Sequence, residues 1–134
     1  MTTKSSGFSL IELLVVVAII GILSSIGIVS YNGYVSGTKQ KSAENVMQQI
    51  SLAQTEYYSD NSEYFRTTES KECLPDSSSS IEIEDALFGE GDIITKEVGY
   101  NMCIAKDGTS YIVTATNNGD KTLTMSANGI WTRK

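Results

Sequence analysis

The chain has 134 residues, room for one domain with an appendage, and its 40% apolar and 8% aromatic content excludes global disorder. Sixteen acids against ten bases give a net charge of −6, which argues against nonspecific binding to a phosphate backbone. Histidine is absent, which removes Ser-His-Asp and Cys-His catalysis and every His-containing zinc site, and two cysteines cannot build a four-cysteine zinc site. A chain that is not an enzyme is expected, with no cofactor and no metal.

Residues 1–7 are short and polar, with one positive charge at Lys4. An apolar run follows, carrying Glu12 and then no charge at all from Leu13 to Val29. As a helix, the 22 residues from Phe8 to Val29 would measure roughly 33 Å at about 1.5 Å per residue. That matches a bilayer hydrocarbon core of about 30 Å. A positive residue before the span and few after it predict a cytoplasmic amino terminus. A secretory signal peptide would have a shorter apolar region, of about 7–15 residues, and a better cleavage site than Tyr31-Asn32-Gly33-Tyr34. A plain anchor explains the length but not Glu12, since a carboxylate inside the bilayer costs roughly 2.5–3.5 kcal/mol on insertion scales. Snorkelling from near the helix end is the bland reading of Glu12; a functional partner is the sharper one.

Gly7-Phe8-Ser9-Leu10-Ile11-Glu12 followed by an aliphatic run resembles the processing signature of type IV prepilins and their pseudopilin relatives. The resemblance implies that a membrane aspartyl prepilin peptidase cuts after Gly7 and that the new amino-terminal Phe8 is then N-methylated. Glu12 becomes the acidic fifth residue of the mature chain. Outside the bilayer the apolar helix must be buried against copies of itself, where an uncompensated Glu12 would be expensive and needs a cation. The resemblance implies that this cation is the amino group of Phe8 on a neighbouring subunit. Many relatives carry a proline in mid-helix, whereas the one proline here is Pro75. Gly21, Ser24, Ser25 and Gly27 supply weak helix formers instead. By analogy with filaments of the family, Gly21–Gly27 is the stretch expected to melt on assembly. Close helix packing by the same small residues is the competing reading.

Past Val29 the apolar period becomes one-sided. Tyr31, Tyr34, Val35, Thr38, Ala43, Val46, Met47, Ile50, Ala53 and Tyr57 recur mostly at three- and four-residue steps. Lys39, Lys41, Glu44, Gln48, Gln49 and Glu56 fall largely on the other side, which predicts an amphipathic helix packed on a globular head. One helix is expected from Phe8 to about Ser59, of roughly 75 Å, with a bend near Gly33 and Gly37. The segment from Ala53 to Tyr58, with Asn61, Glu63, Tyr64 and Phe65, closes it and is similar to the start of pilin heads. Core packing of Tyr57, Tyr58, Tyr64 and Phe65 is favoured over a base-stacking platform.

The connecting region, residues 60–92, holds Ser77–Ser80 and the acids Glu82, Glu84 and Asp85. Ile81, Ile83, Leu87 and Phe88 suggest a short helix there. A calcium loop with Gly89 and Gly91 lacks EF-hand spacing and gives way to a solvated acidic loop. From Ile93 the pattern alternates, with turn signals at Asp107-Gly108, Asn117-Asn118-Gly119-Asp120 and Asn128-Gly129. Tyr111, Val113 and Ala115 are expected on one face, with Leu123 and Met125 beside them and Trp131 on the last strand. The predicted fold is α+β. A leader (1–7), a filament-core span (8–30) and an amphipathic helix (31–59) precede the connecting region and an antiparallel sheet (93–134), giving a lollipop shape. A head exported to an oxidising space predicts a structural disulfide between Cys73 and Cys103.

The expected function is that of a structural subunit of a type IV pilus, held in the inner membrane as precursor and then polymerised into an extracellular filament. Such fibres serve adhesion, twitching motility or DNA uptake. The expected partners are copies of the chain, the prepilin peptidase, the inner-membrane pilus assembly platform and, before assembly, the membrane. One alternative is a type II secretion pseudopilin, whose usual DPWG-like head motif is missing here. Another is a minor pilin acting as a DNA receptor. Loss of Lys4 takes the charge from −6 to −7, and Lys121, Arg133 and Lys134 are its few basic candidates, so DNA is disfavoured. An envelope domain with an accidental resemblance is the third rival.

Overall fold

The computed structural model describes residues 6–89, 92–94, 98–118 and 121–134. Lys4, Gly91, Gly119 and Asp120, which figure in the sequence reading, lie outside them. The chain divides into two compact units, Met1–Gly37 and Thr38–Lys134. Helix α1 is Leu10–Asn61, beginning two residues after Phe8. Its hydrogen-bonded pattern continues through Gly33 and Gly37, near which the sequence suggested a bend. The large apolar side chains from Phe8 to Val29 in the first unit are exposed, from Val15 at 49% to Phe8 at 88%. The helix is long and apolar enough to cross a membrane. Tyr31 and Tyr34, expected on the packed face, are exposed as well.

The second unit combines the carboxyl-terminal part of α1 with a short helix and a sheet. Helix α2 is Ser77–Ile83, followed by one π-type turn at Glu84–Phe88. The sheet is an antiparallel meander in the order β1 (Asn101–Asp107), β2 (Ser110–Thr116), β3 (Thr122–Ser126), β4 (Trp131–Arg133). The architecture is therefore α+β. Alternation is regular in β2, where Tyr111, Val113 and Ala115 are buried, and in β3, where Leu123 and Met125 are buried. Those residues share one core with Ala43, Val46, Met47 and Ile50 of α1 and Ile83 of α2. Ile93 and Ile94 lie in a turn, and among the described residues the sheet's first strand begins at Asn101. Gly108, with φ of 60°, occupies the first central position of the β1–β2 turn, the place where glycine suits a type II′ hairpin.

The weak helix formers Ser77–Ser80 become helical because of their caps and neighbours. Asp76 accepts from the Ser79 N–H at 2.7 Å, and the Asp76 N–H donates to Ser79 Oγ at 3.0 Å, a reciprocal capping box. These hydrogen bonds from the Ser79 backbone and side chain hold the Asp76 carboxyl below its usual range. The outer edge of β1 is closed by the connecting region. The Met102 N–H donates to Ser80 Oγ at 2.9 Å, the Ile104 N–H to Thr67 Oγ1 at 3.0 Å and the Lys106 N–H to the Ser70 carbonyl at 3.0 Å. An edge so covered offers no free ladder for pairing with another chain. The Cys73–Cys103 disulfide ties the same region to β1, with a Cα–Cα distance of 6.2 Å across 30 residues.

Two polar residues of α1 are buried against the sequence pattern. Glu44, expected on the solvent face, is 7% exposed because Arg133 of β4 reaches it at 2.8 Å, with Lys41 at 3.2 Å. Gln54 is fully buried and acts as a substitute strand partner. Its Oε1 accepts from the Phe65 N–H at 2.8 Å, and its Nε2 donates to the Phe65 carbonyl at 2.7 Å. Both backbone groups of a half-buried, irregular residue are thereby satisfied. Ser62, with φ of 60°, ends α1 and donates its N–H to the Tyr58 carbonyl at 2.8 Å. Tyr57 packs edgewise on Phe65 at 5.8 Å and Tyr64 on Tyr111 at 4.9 Å between centroids, whereas Tyr58, expected to pack in the core, is exposed.

Candidate functional site at the helix start

Gly7 and Phe8 lie in non-helical chain and are exposed. The peptide bond between them is therefore outside the helical hydrogen-bond pattern. What sets this boundary is Ser9, a residue the sequence reading passed over. Its Oγ accepts from the Glu12 N–H at 3.3 Å, and its own N–H donates to Glu12 Oε2 at 2.8 Å. Ser9 is thus the N-cap, and Glu12 the third helical residue, of a reciprocal capping box. The signal was present as a serine followed three residues later by a glutamate ahead of an apolar run. Glu12 also places its negative charge in the first helical turn, where the helix dipole favours it.

The Glu12 carboxylate is only partly engaged by the cap. In the isolated chain one oxygen is held by the Ser9 N–H. A carboxylate accepts at two oxygens, so a neighbouring cation can bind without breaking the cap. Further along, Gly21, Ser24, Ser25 and Gly27 all lie within α1. Ser25 Oγ donates back to the Ile22 carbonyl at 2.8 Å, a bond that often bends helices.

Two of the basic residues near the last hairpin are already engaged by other side chains. Arg133 is engaged by Glu44, and Lys121 Nζ lies 3.5 Å from Gln40 Oε1. Arg133, foremost, together with Lys41 and Gln40 holds the Glu44 carboxyl at about 2 against the opposing effect of burial. The same hydrogen bond raises Arg133 above its usual value. Among the described residues no three His, Cys, Asp or Glu side chains cluster as metal ligands.

Residues 2–28 match the family described as the prokaryotic N-terminal methylation motif. The chain is 46% identical over 54 residues to a fimbrial protein, EcpC, of Eikenella corrodens, covering 40% of this chain and 35% of the relative. It is 38% identical over 61 residues to the type IV major pilin protein PilA of Myxococcus xanthus, covering 46% of this chain and 28% of the relative. A fimbrial protein of Neisseria meningitidis is 36% identical over 64 residues, 48% of this chain and 38% of the relative. The matched portion thus spans about a third of the length of these curated relatives. No solved structure matches the chain.

Proposed function

We propose that the chain is a type IV pilin, a structural subunit of a surface filament; its amino-terminal motif and its similarity to pilins support the reading. The observation that carries this reading is the conjunction at one helix start. The methylation motif, the non-helical Gly7-Phe8 bond and the capped Glu12 coincide ahead of a span of exposed apolar side chains. In this reading the span holds the precursor in the inner membrane, and the peptidase hydrolyses the Gly7–Phe8 bond from the cytoplasmic side. The freed amine of Phe8 receives one methyl group and keeps its positive charge.

Assembly on the inner-membrane platform then moves the span out of lipid. Each apolar side chain left in water would forfeit about 1.5–3 kcal/mol, so the spans must bury one another in the filament core. A charge in that core requires a partner. Phe8 of one subunit supplies the cation for Glu12 of the next, on the carboxylate oxygen that the Ser9 N–H leaves open. This pairing fixes axial register, because a slip by one turn strands both charges. The small residues Gly21, Ser24, Ser25 and Gly27 let the span unwind locally where neighbouring subunits demand it.

Two variants test the reading. Gly7→Val leaves the chain uncut and confined to membranes. Glu12→Val leaves it cut, since the scissile bond is unaltered, but absent from sheared fibres. Recovery of Glu12→Val chains in fibres at the parental level would refute the role given to the carboxylate. A filament map with unbroken helical hydrogen bonding through Ser24 and Ser25 would refute local unwinding.

A further inference from the structure

The second unit carries a cleft remote in sequence from the motif at the start of α1. It opens between the segment following α1 and the β1–β2 turn and holds about 660 Å³, within the roughly 300–1,000 Å³ of small-molecule sites. Part of its lining is aromatic. Tyr58 and Tyr64 lie 4.7 Å apart between centroids at 31°, and Tyr64 is braced by the edge contact with Tyr111. Tyr58 remains 47% exposed. The same cleft is lined by the cations Arg66 and Lys106.

Both cations converge on one carboxylate oxygen. Arg66 Nη1 and Lys106 Nζ donate to Glu69 Oε2 at 3.3 and 2.9 Å, yet the Glu69 side chain is 75% exposed. An exposed carboxylate held in water by such pairs is weakly retained, because solvent screens the charges and the long side chains lose freedom on pairing. Arg66 is in contrast mostly enclosed, and its Nε is buried without a hydrogen-bond partner. An enclosed guanidinium with donors to spare, beside an ammonium and a tyrosine face, suits a ligand that combines an anion with a flat apolar surface.

We propose that this cleft binds an acidic sugar. The C–H face of the ring lies on Tyr58, where the negative ring face attracts it. The sugar carboxylate takes the place of Glu69 on Arg66 and Lys106, and ring hydroxyls reach Thr109 and Ser110 on the turn. A bare carboxylate or phosphate would leave the tyrosine face unused. A nucleic acid strand needs a row of cations, whereas this cleft has two, with Glu63 also in its lining and a net charge of −6 on the chain. The inference goes beyond assembly and stands whether or not the chain polymerises.

The test is a titration of the full-length, isotope-labelled chain in a sugar-free detergent, read by amide chemical shifts. Sodium glucuronate is expected to give saturable shifts at Ser62, Gly108 and Thr109 with a dissociation constant of about millimolar order. Glucose and inorganic phosphate are expected to bind about tenfold more weakly. Tyr58→Ala and Lys106→Gln, both at partly exposed positions, each weaken glucuronate about fivefold while leaving the remaining spectrum unchanged. Absence of saturable shifts would overturn the proposal, as would equal response to glucose or phosphate, or binding that survives both variants. Tighter binding of an oligothymidylate would overturn the sugar class in favour of a nucleic acid.

Discussion

Replacing Arg133 by methionine keeps the apolar stem and removes the charge that faces Glu44 at 2.8 Å. Glu44 sits at about 2 against an ordinary value of 4.5, a gap equivalent to a ceiling of about 3 kcal/mol. Lys41 and Gln40 share in that ceiling, and the Arg133 side chain is 49% exposed. Solvent screening therefore leaves the Glu44 carboxylate with well under that ceiling at pH 7, Arg133 being the largest contributor to it. The guanidinium also lies 5.4 Å from the Trp131 ring centroid, a contact worth about 0.5–1 kcal/mol that does not depend on pH. Because the folded-state value of Glu44 is depressed, its stabilisation is complete above about 4.5 and is lost as pH falls toward 2. At pH 3 the ion-pair part should have fallen to roughly 40% of its neutral value. Urea unfolding of the full chain in detergent, followed by tyrosine circular dichroism at pH 7 and pH 3, measures both. A deficit in Arg133→Met that is the same at the two pH values would refute the ion-pair assignment. So would a deficit that persists undiminished when Glu44→Gln is already in place.

Three further outcomes are expected. Gln54→Leu strands the N–H and carbonyl of Phe65, which should cost about 2–4 kcal/mol in the same urea assay; a neutral result would mean that the segment repacks. Cys73→Ser with Cys103→Ser opens the 30-residue loop and should remove roughly 3–4 kcal/mol, measured by the shift in urea midpoint under oxidising conditions. Ser9→Ala removes the N-cap, worth about 1 kcal/mol. It should speed hydrogen exchange at Glu12 without affecting the core of the second unit; exchange unchanged at Glu12 would count against the capping box.

Those features differ in how far the amino-acid pattern reveals them. The inward faces of β2 and β3 follow from strict alternation, and the Asp107-Gly108 turn from its dipeptide, because both are local properties. The span and its Glu12 are equally local. Glu44 escaped because its burial depends on Arg133, 89 residues away, and helical periodicity alone assigns a glutamate to solvent. Gln54 has the same difficulty, since only the fold brings Phe65 opposite its amide. The helix at Ser77–Ser80 runs against serine propensity and stands on the Asp76 cap and on Met102 of the neighbouring strand. Tyr31 and Tyr34 continue the apolar period by sequence, yet they belong to the first unit and stay exposed in a single chain. Ser9 was legible all along; its capping pattern was masked by the more conspicuous charge of Glu12.

The most direct measurement is the intact mass of this chain in fibres sheared from the cell surface. The expected species begins at Phe8, is heavier by one methyl group and lighter by the two hydrogens of the Cys73–Cys103 disulfide. An unprocessed mass in the fibres, or a chain cut anywhere beyond Val29, would contradict a filament built on a methylated Phe8 and the Glu12 beside it.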